Sequence, residues 1–195
     1  DAYTVRVAAV NAGIPVSAPA FQVNRLCGSG LQAIVSAAQT IALGEADITI
    51  AGGAEVMTRA PHFVNAARFG QKLGDITMTD AILGALQDPF ENIHMGVTAE
   101  NVAADLGITR ADQDELAAES HKRAANAIAQ GYFKDQILPV EIKTRKGVVM
   151  FDTDEHVRAD TTVESLGALK PVFLKDGTVT ADNASGINDG AAAVV

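Results

Sequence analysis

The chain holds one cysteine, Cys27, in the stretch NRLCGSG, between a short apolar run and a long apolar segment of helical character. A cysteine at the start of a helix lies where unpaired amide groups and the helix dipole favour the thiolate, the nucleophilic form. Gly28 and Gly30 remove side chains that would obstruct an incoming substrate, and backbone amides of such a turn can hold a developing oxyanion. A lone cysteine in apolar surroundings is equally readable as a small buried thiol, and the local pattern leaves both readings open. A cysteine nucleophile usually needs a nearby base. Of the four histidines, His94 in NIHMG and His62 in APHF are the better placed because both lie in loop-like sequence, and residue spacing does not choose between them. His62, His94, His121 and His156 are too scattered for a zinc site.

The elements that must position these residues read as follows. YTVRVAAVNAGIP is a helix end, stopped by Gly13 and Pro15. A short strand over 21–24 leads into the LCGSG turn, a helix over about 31–43 and a stop at Gly44. ADITIAGG then reads as a buried strand. Apolar residues surround the helix, so it is expected to be packed on more than one side, inside a right-handed parallel strand–helix–strand unit. From about Met57 the periodicity fades into an ordered loop. Two helices follow, one ending at Gly107 and one opened by a capping box of Thr109 and Asp112. The second is expected to turn Leu116, Ala117, Ser120, Ala124, Ala127 and Ile128 inward, with the acidic residues of both helices forming a solvated face. ILPVEIK and VVMF flank TRKG as a hairpin whose loop is longer than the tightest types. AAAVV reads as a small-residue strand, and both chain ends read as cuts within a larger protein.

With 195 residues, 48% of them hydrophobic, the chain can bury one good core. A net charge of −9 argues against a general nucleic-acid binder. One cysteine excludes an internal disulfide framework and fits a reducing compartment. No apolar run approaches the ~20 residues of a membrane span, and the first residues carry no signal-like pattern, so the expectation is a cytoplasmic protein with neither membrane nor nucleic acid as partner.

In order along the chain, NRLCGSGLQAI, AGGAEVMTRAPH, HMGVTAENVA, YFKDQILPV, RKG, FDTDEHVR and GTVTADNASGINDGAAA resemble the successive motifs of the thiolase family, of the acetyl-CoA acetyltransferase or β-ketothiolase type. The resemblance implies an α/β fold, the layered αβαβα thiolase architecture, here as an incomplete N-terminal half with an inserted loop domain. Residues 1–56 would belong to the N-terminal α/β domain, 57–184 to the loop domain covering the coenzyme A site, and 185–195 to the return into the first domain. Cys27 matches the cysteine that takes the acyl group as a thioester, with its own amide among the oxyanion donors. His94 and Met95 match walls of the acyl and pantetheine pocket, so His94 changes role from candidate base to pocket wall. Leu86 falls where an apolar side chain packs on coenzyme A, Arg158 near the adenine end, Ser165 beside the nucleotide, and Ser185 where a serine hydrogen-bonds the pantetheine.

The implied reaction condenses two acetyl-CoA into acetoacetyl-CoA, or runs the reverse thiolysis of a 3-ketoacyl-CoA. It requires no cofactor or metal beyond the coenzyme A thioester substrates, and the family implies a homo-oligomer, dimer or tetramer, working in fatty acid metabolism. One departure matters: the family's second cysteine in Cys-x-Gly-Gly, its Gly-His-Pro histidine and its Asn-Glu-Ala-Phe motif do not occur in these residues. Taken alone, such a chain is expected to show no thiolase turnover. Other readings are a β-ketoacyl synthase relative, a noncatalytic coenzyme A binding module, and an assembly piece whose loop RAPHFVNAARFGQK joins subunits.

Overall fold

The computed structural model describes residues 3–195. They divide into two compact units, one running up to Pro61 and resuming over Asn188–Val195, the other spanning His62–Ile187.

The first unit begins with helix α1 (Thr4–Asn11), which closes as Gly13 takes φ 89° and the Ile14 amide returns to the Ala9 carbonyl at 3.0 Å. Arg6 then ties the following loop to the helix, donating to the carbonyls of Ala18 and Val16 at 2.6 Å each. Helix α2 (Ser29–Ala42) ends as expected at a left-handed Gly44, with the Glu45 amide reaching back to the Thr40 carbonyl. Strand β1 (Ala51–Val56) pairs antiparallel with β6 (Asp189–Val194), in a register that runs from Ala51 opposite Val194 to Val56 opposite Asp189. Thr58 locks the end of this ladder, its amide and hydroxyl both donating to the Asp189 carboxylate. Gly52 is required here, because a β-carbon would come within 2.6 Å of the Ala192 carbonyl oxygen.

Three expectations change in this unit. Residues 21–24 form no ladder, and the strand expected at 46–53 pairs only from Ala51 onward, so the parallel strand–helix–strand unit is replaced by one antiparallel pair. A strand exists only where its amides and carbonyls find a neighbour, and of the segments 21–24 and 46–53 the described residues supply a ladder partner only to Ala51 onward, in β1. Helix α2 has no buried residue: it packs on β1, while Leu31, Ile34, Val35 and Ile41 stay exposed. Its all-round apolar character is real, but the sheet beneath it has two strands and covers one side.

In the second unit, β2 (His62–Phe63) pairs with β3 (Thr79–Asp80), and Asp80 caps the short helix α3 (Ala81–Ala85). Helix α4 (Met95–Leu106) closes on left-handed Gly107. Helix α5 (Arg110–Gln130) opens with the full Thr109–Asp112 capping box. Strands β4 (Val140–Thr144) and β5 (Gly147–Phe151) form a hairpin, and α6 (Val163–Gly167) is a single capped turn. The hairpin loop is tighter than the sequence indicated: Thr144 pairs with Gly147, which leaves only Arg145 and Lys146 in the turn. Gly147, at φ 129°, takes the backbone shape that this closure needs.

The inner face of α5 is also displaced. Ala117, Ala124 and Ala127 are half-buried as expected, but Leu116 is 73% exposed, Ser120 and Ile128 lie outside, and the buried residue is Asp114. Polar partners rotate the helix, since the Asp114 carboxylate takes the Arg110 guanidinium at 2.7 Å and the Asn183 amide at 3.0 Å. The acidic residues are thus not all on a solvated face: Glu100 of α4 and Asp114 of α5 are buried in the middle of this unit, beside Ala103, Leu166, Val179 and Thr180.

Candidate active site

Cys27 lies in the first unit, one residue before Gly28, the N-cap of α2, and it is exposed. The turn that carries it is held by short bonds. The Asn24 side chain accepts from the Leu26 amide at 3.0 Å. Ser29 accepts from the Arg25 amide at 2.8 Å and donates to the Leu26 carbonyl at 2.7 Å. Leu26 sits at φ 49°, a left-handed conformation unusual for a residue with a branched side chain. The amides of Gly28 and Ser29 return to the carbonyls of Arg25 and Leu26, so they close the turn and do not face a substrate. Arg25 folds away along α2, donating to Gln32 at 2.8 Å.

The second unit carries Leu86, His94, Met95, Arg158, Ser165 and Ser185. Three of these come together: the Met95 amide donates to the Leu86 carbonyl at 2.8 Å, and His94 caps α4 by accepting the Gly96 amide on Nδ1 at 3.0 Å. That acceptor role places the remaining ring proton of a neutral His94 on Nε2. The His94 ring stacks on Phe173, with centroids 4.7 Å apart and planes 23° from parallel. Gly96 makes the stack possible, because a β-carbon there would clash with Cδ2, Cε2 and Cζ of the Phe173 ring. Leu86 and His94 are half-buried and Met95 is exposed.

Arg158 donates from Nη1 to Asp182 at 2.9 Å and from its amide to His121 Nδ1 at 3.2 Å, which also brings the His121 and His156 rings to 5.9 Å. Ser165 completes the cap of α6: its hydroxyl accepts from the Thr162 amide and donates to the Thr162 carbonyl. Ser185 is exposed in the loop that follows Asn183. His62, the other histidine considered as a base, lies exposed on β2 opposite Asp80.

Phe173 and the polar groups that hold its loop carry no motif that marks them as functional. Glu100 accepts the amides of Thr178 and Val179 and the Thr178 hydroxyl, all at 2.8 to 2.9 Å. Burial works to raise the Glu100 carboxyl, but the Val179 and Thr178 amides and the Thr178 hydroxyl outweigh it and hold it below its ordinary value. The spacing of the buried positions 96, 100 and 103 on α4 was the available signal, since it puts this carboxylate on the inner face. Among the described residues no group of three or more His, Cys, Asp or Glu could hold a metal, and no helix is long and apolar enough to cross a membrane.

Comparison with known proteins gives this arrangement its context. The model of the thiolase N-terminal domain matches residues 1–195. A beta-ketothiolase of Cupriavidus necator is 65% identical over 196 residues, covering all of this chain and 50% of that protein. An acetyl-CoA acetyltransferase of Pseudomonas aeruginosa is 50% identical over 97% of this chain and 49% of its own length. Human mitochondrial 3-ketoacyl-CoA thiolase superposes with a TM-score of 0.94 at 46% identity, covering 98% of this chain and 49% of that one. The chain belongs to the thiolase family, as its N-terminal domain, and has the α/β thiolase fold. It spans about half the length of the relatives it matches.

Proposed function

We propose that this chain supplies the acyl-accepting part of a thiolase, an acyltransferase that condenses two acetyl-CoA into acetoacetyl-CoA or cleaves a 3-ketoacyl-CoA in reverse. The observation that carries the reading is the exposed Cys27 in a bonded turn at the head of α2, in a chain whose whole length matches the thiolase N-terminal domain. The Cys27 thiolate attacks the thioester carbonyl carbon, assisted by the Cys27 amide as an oxyanion donor. A carbon–sulfur bond to Cys27 forms as the bond to the coenzyme A sulfur breaks, and coenzyme A leaves as the thiolate. A second acetyl-CoA, deprotonated at its methyl carbon, then attacks the acyl-enzyme, and the Cys27 thiolate departs. The base for that step is assigned to no residue of this chain.

Leu86, His94 and Met95 would wall the acyl and pantetheine end and Arg158 and Ser165 would lie toward the nucleotide, within a loop domain at about 57–184, and Ser185, at the start of the return into the first domain, would bond the pantetheine. Coenzyme A thioesters are substrates in this reading, and no further cofactor is required. We place the whole protein in the cytoplasm, in fatty acid metabolism, as a homo-oligomer, dimer or tetramer. Exposed Phe63, Phe69 and Leu73 in and beside the RAPHFVNAARFGQK loop support a subunit contact there.

The test is to expose the full-length protein to radiolabelled acetyl-CoA, quench in acid, and identify the labelled peptide by mass. The label is expected on the peptide containing Cys27 and is expected to vanish in Cys27→Ser. A protein that turns over acetyl-CoA with the label elsewhere, or with Cys27→Ser fully active, would overturn the assignment.

A further inference from the structure

Glu100 is a buried carboxylate that the acyl-transfer chemistry leaves without a task. It sits on α4, whose N-terminus is capped by His94, and it faces the loop that carries Phe173. Two separate contacts fasten that loop to the helix. At one end, the Phe173 ring packs against Gly96 and stacks on His94. At the other, the Glu100 carboxylate takes the amides of Thr178 and Val179 and the hydroxyl of Thr178. Gly177 lets the loop approach, because a β-carbon there would strike Glu100 Oε1 and stand 2.8 Å from its Cδ. Beyond the clamp, Asn183 accepts the Thr180 amide at 2.7 Å and donates to the Thr178 carbonyl at 3.0 Å, which carries the fixed backbone on toward Ser185.

We propose that Glu100 is a positioning residue: its carboxylate clamps the loop at 177–179 onto α4 and thereby fixes the Phe173–His94 face and the approach to Ser185 against which a coenzyme A thioester would bind. The inference rests on the acyl-CoA reading of this face. Phe173 has no polar anchor of its own, so the ring holds its place only while the loop behind it is held. A carboxylate suits the task because one group accepts from three donors at once, which a neutral side chain of similar size does only in part. Glu100 does not touch the reacting atoms in this proposal, so its loss should weaken substrate binding and leave the thiol chemistry of Cys27 intact.

The experiment uses the full-length protein with Glu100→Ala, Glu100→Gln and Gly177→Ala, the last striking the clamp from the loop side. Steady-state rates with acetyl-CoA are measured together with the rate of Cys27 alkylation by iodoacetamide, a reagent too small to need the coenzyme A face. Glu100→Ala and Gly177→Ala are expected to raise KM at least tenfold, with kcat and the alkylation rate within about threefold of the parent, as loss of uniform binding predicts. Glu100→Gln keeps the shape and part of the bonding, and is expected to raise KM by less than Glu100→Ala. An unchanged KM in both Glu100→Ala and Gly177→Ala would overturn the proposal, as would a fall in kcat and alkylation equal to the loss of binding. Should Glu100→Ala fail to fold, Glu100→Gln and Gly177→Ala decide the matter. If the parent itself takes no acetyl group on Cys27, the acyl-CoA reading has failed, a result separate from any effect of Glu100.

Discussion

Replacing Asp114 with alanine should loosen the second unit far more than a surface carboxylate could. The Asp114 side chain is 3% exposed, and its two oxygens are each committed, Oδ2 to Arg110 Nε at 2.7 Å and Oδ1 to Asn183 Nδ2 at 3.0 Å. Hydrogen bonds to a charged group contribute about 1.5 to 3 kcal/mol each, and removing one partner of a buried pair costs about 3 to 5 kcal/mol. Two features lower the figure here. Arg110 keeps the carbonyls of Leu166 and Leu169 and is 24% exposed, and Asn183 keeps the Thr178 carbonyl. The lower end, about 3 kcal/mol, is therefore expected. Asp114→Asn should recover little, because an amide in either orientation points its NH2 at the guanidinium or at the Asn183 NH2. The assay is amide hydrogen exchange on peptides across α5 and 163–185, where 3 kcal/mol corresponds to roughly 10²-fold faster local exchange. Acceleration below about fivefold would refute the reasoning, as would strictly additive losses in Arg110→Met and Asp114→Ala, since a direct pair should show coupling of about 0.5 to 3 kcal/mol.

Further perturbations follow from the same contacts. Gly96→Ala drives a methyl group into the Phe173 ring, so it should cost about 1 to 3 kcal/mol in urea unfolding and displace the ring from His94; an unaltered unfolding midpoint would contradict the packing. Gly52→Ala sets a β-carbon against the Ala192 carbonyl, which is backbone and cannot swing aside, and hydrogen exchange along 189–194 should quicken while exchange in α5 stays as it was. The Glu100 carboxyl titrates below its ordinary value of 4.5 when folded, so the stabilisation it gives is present above that pH and is lost as pH falls through the lowered folded value. Acid unfolding of the parent should therefore steepen below about pH 4.5, and Glu100→Gln should flatten that limb; identical acid limbs in the two proteins would argue against a clamping carboxylate.

How far the sequence foretold these features depended on whether a residue's partner was close along the chain. The Thr109–Asp112 box, the left-handed stops at Gly44 and Gly107 and the Cys27 turn are written within a few residues, and each formed as read. Leu116 faces outward because its neighbour Asp114 finds Asn183 some 69 residues away, and no periodicity in α5 announces that bond. Glu100 has an inner-face spacing on α4, but its donors lie 78 and 79 residues further on and leave no local mark. The strand at 46–50 failed for want of a neighbour within the described residues, a condition that local propensity does not encode. The residues proposed to meet coenzyme A came only from the resemblance to thiolases, since an exposed Ser185 or Arg158 has no local pattern that sets it apart.

The distribution of buried groups explains why polar clamps govern the second unit. Its buried apolar residues, Ala103, Leu166 and Val179, are few beside the exposed Leu106, Leu116, Tyr132 and Leu138. So few contacts give little orienting force, since apolar burial is non-directional and scales with area. Glu100 and Asp114 supply direction: their oxygens hold particular donors, and together with Arg110, which donates to the Leu166 carbonyl, they join α4, α5, α6 and the loop at 178–183. Bonds shielded from water are weakly screened by salt, whereas the exposed Glu119–Arg123 pair on the outer face of α5 is open to it. Raising ionic strength from 0.05 to 0.5 M should therefore leave exchange at 178–183 nearly unchanged, and a marked acceleration there would mean that water reaches the Glu100 clamp.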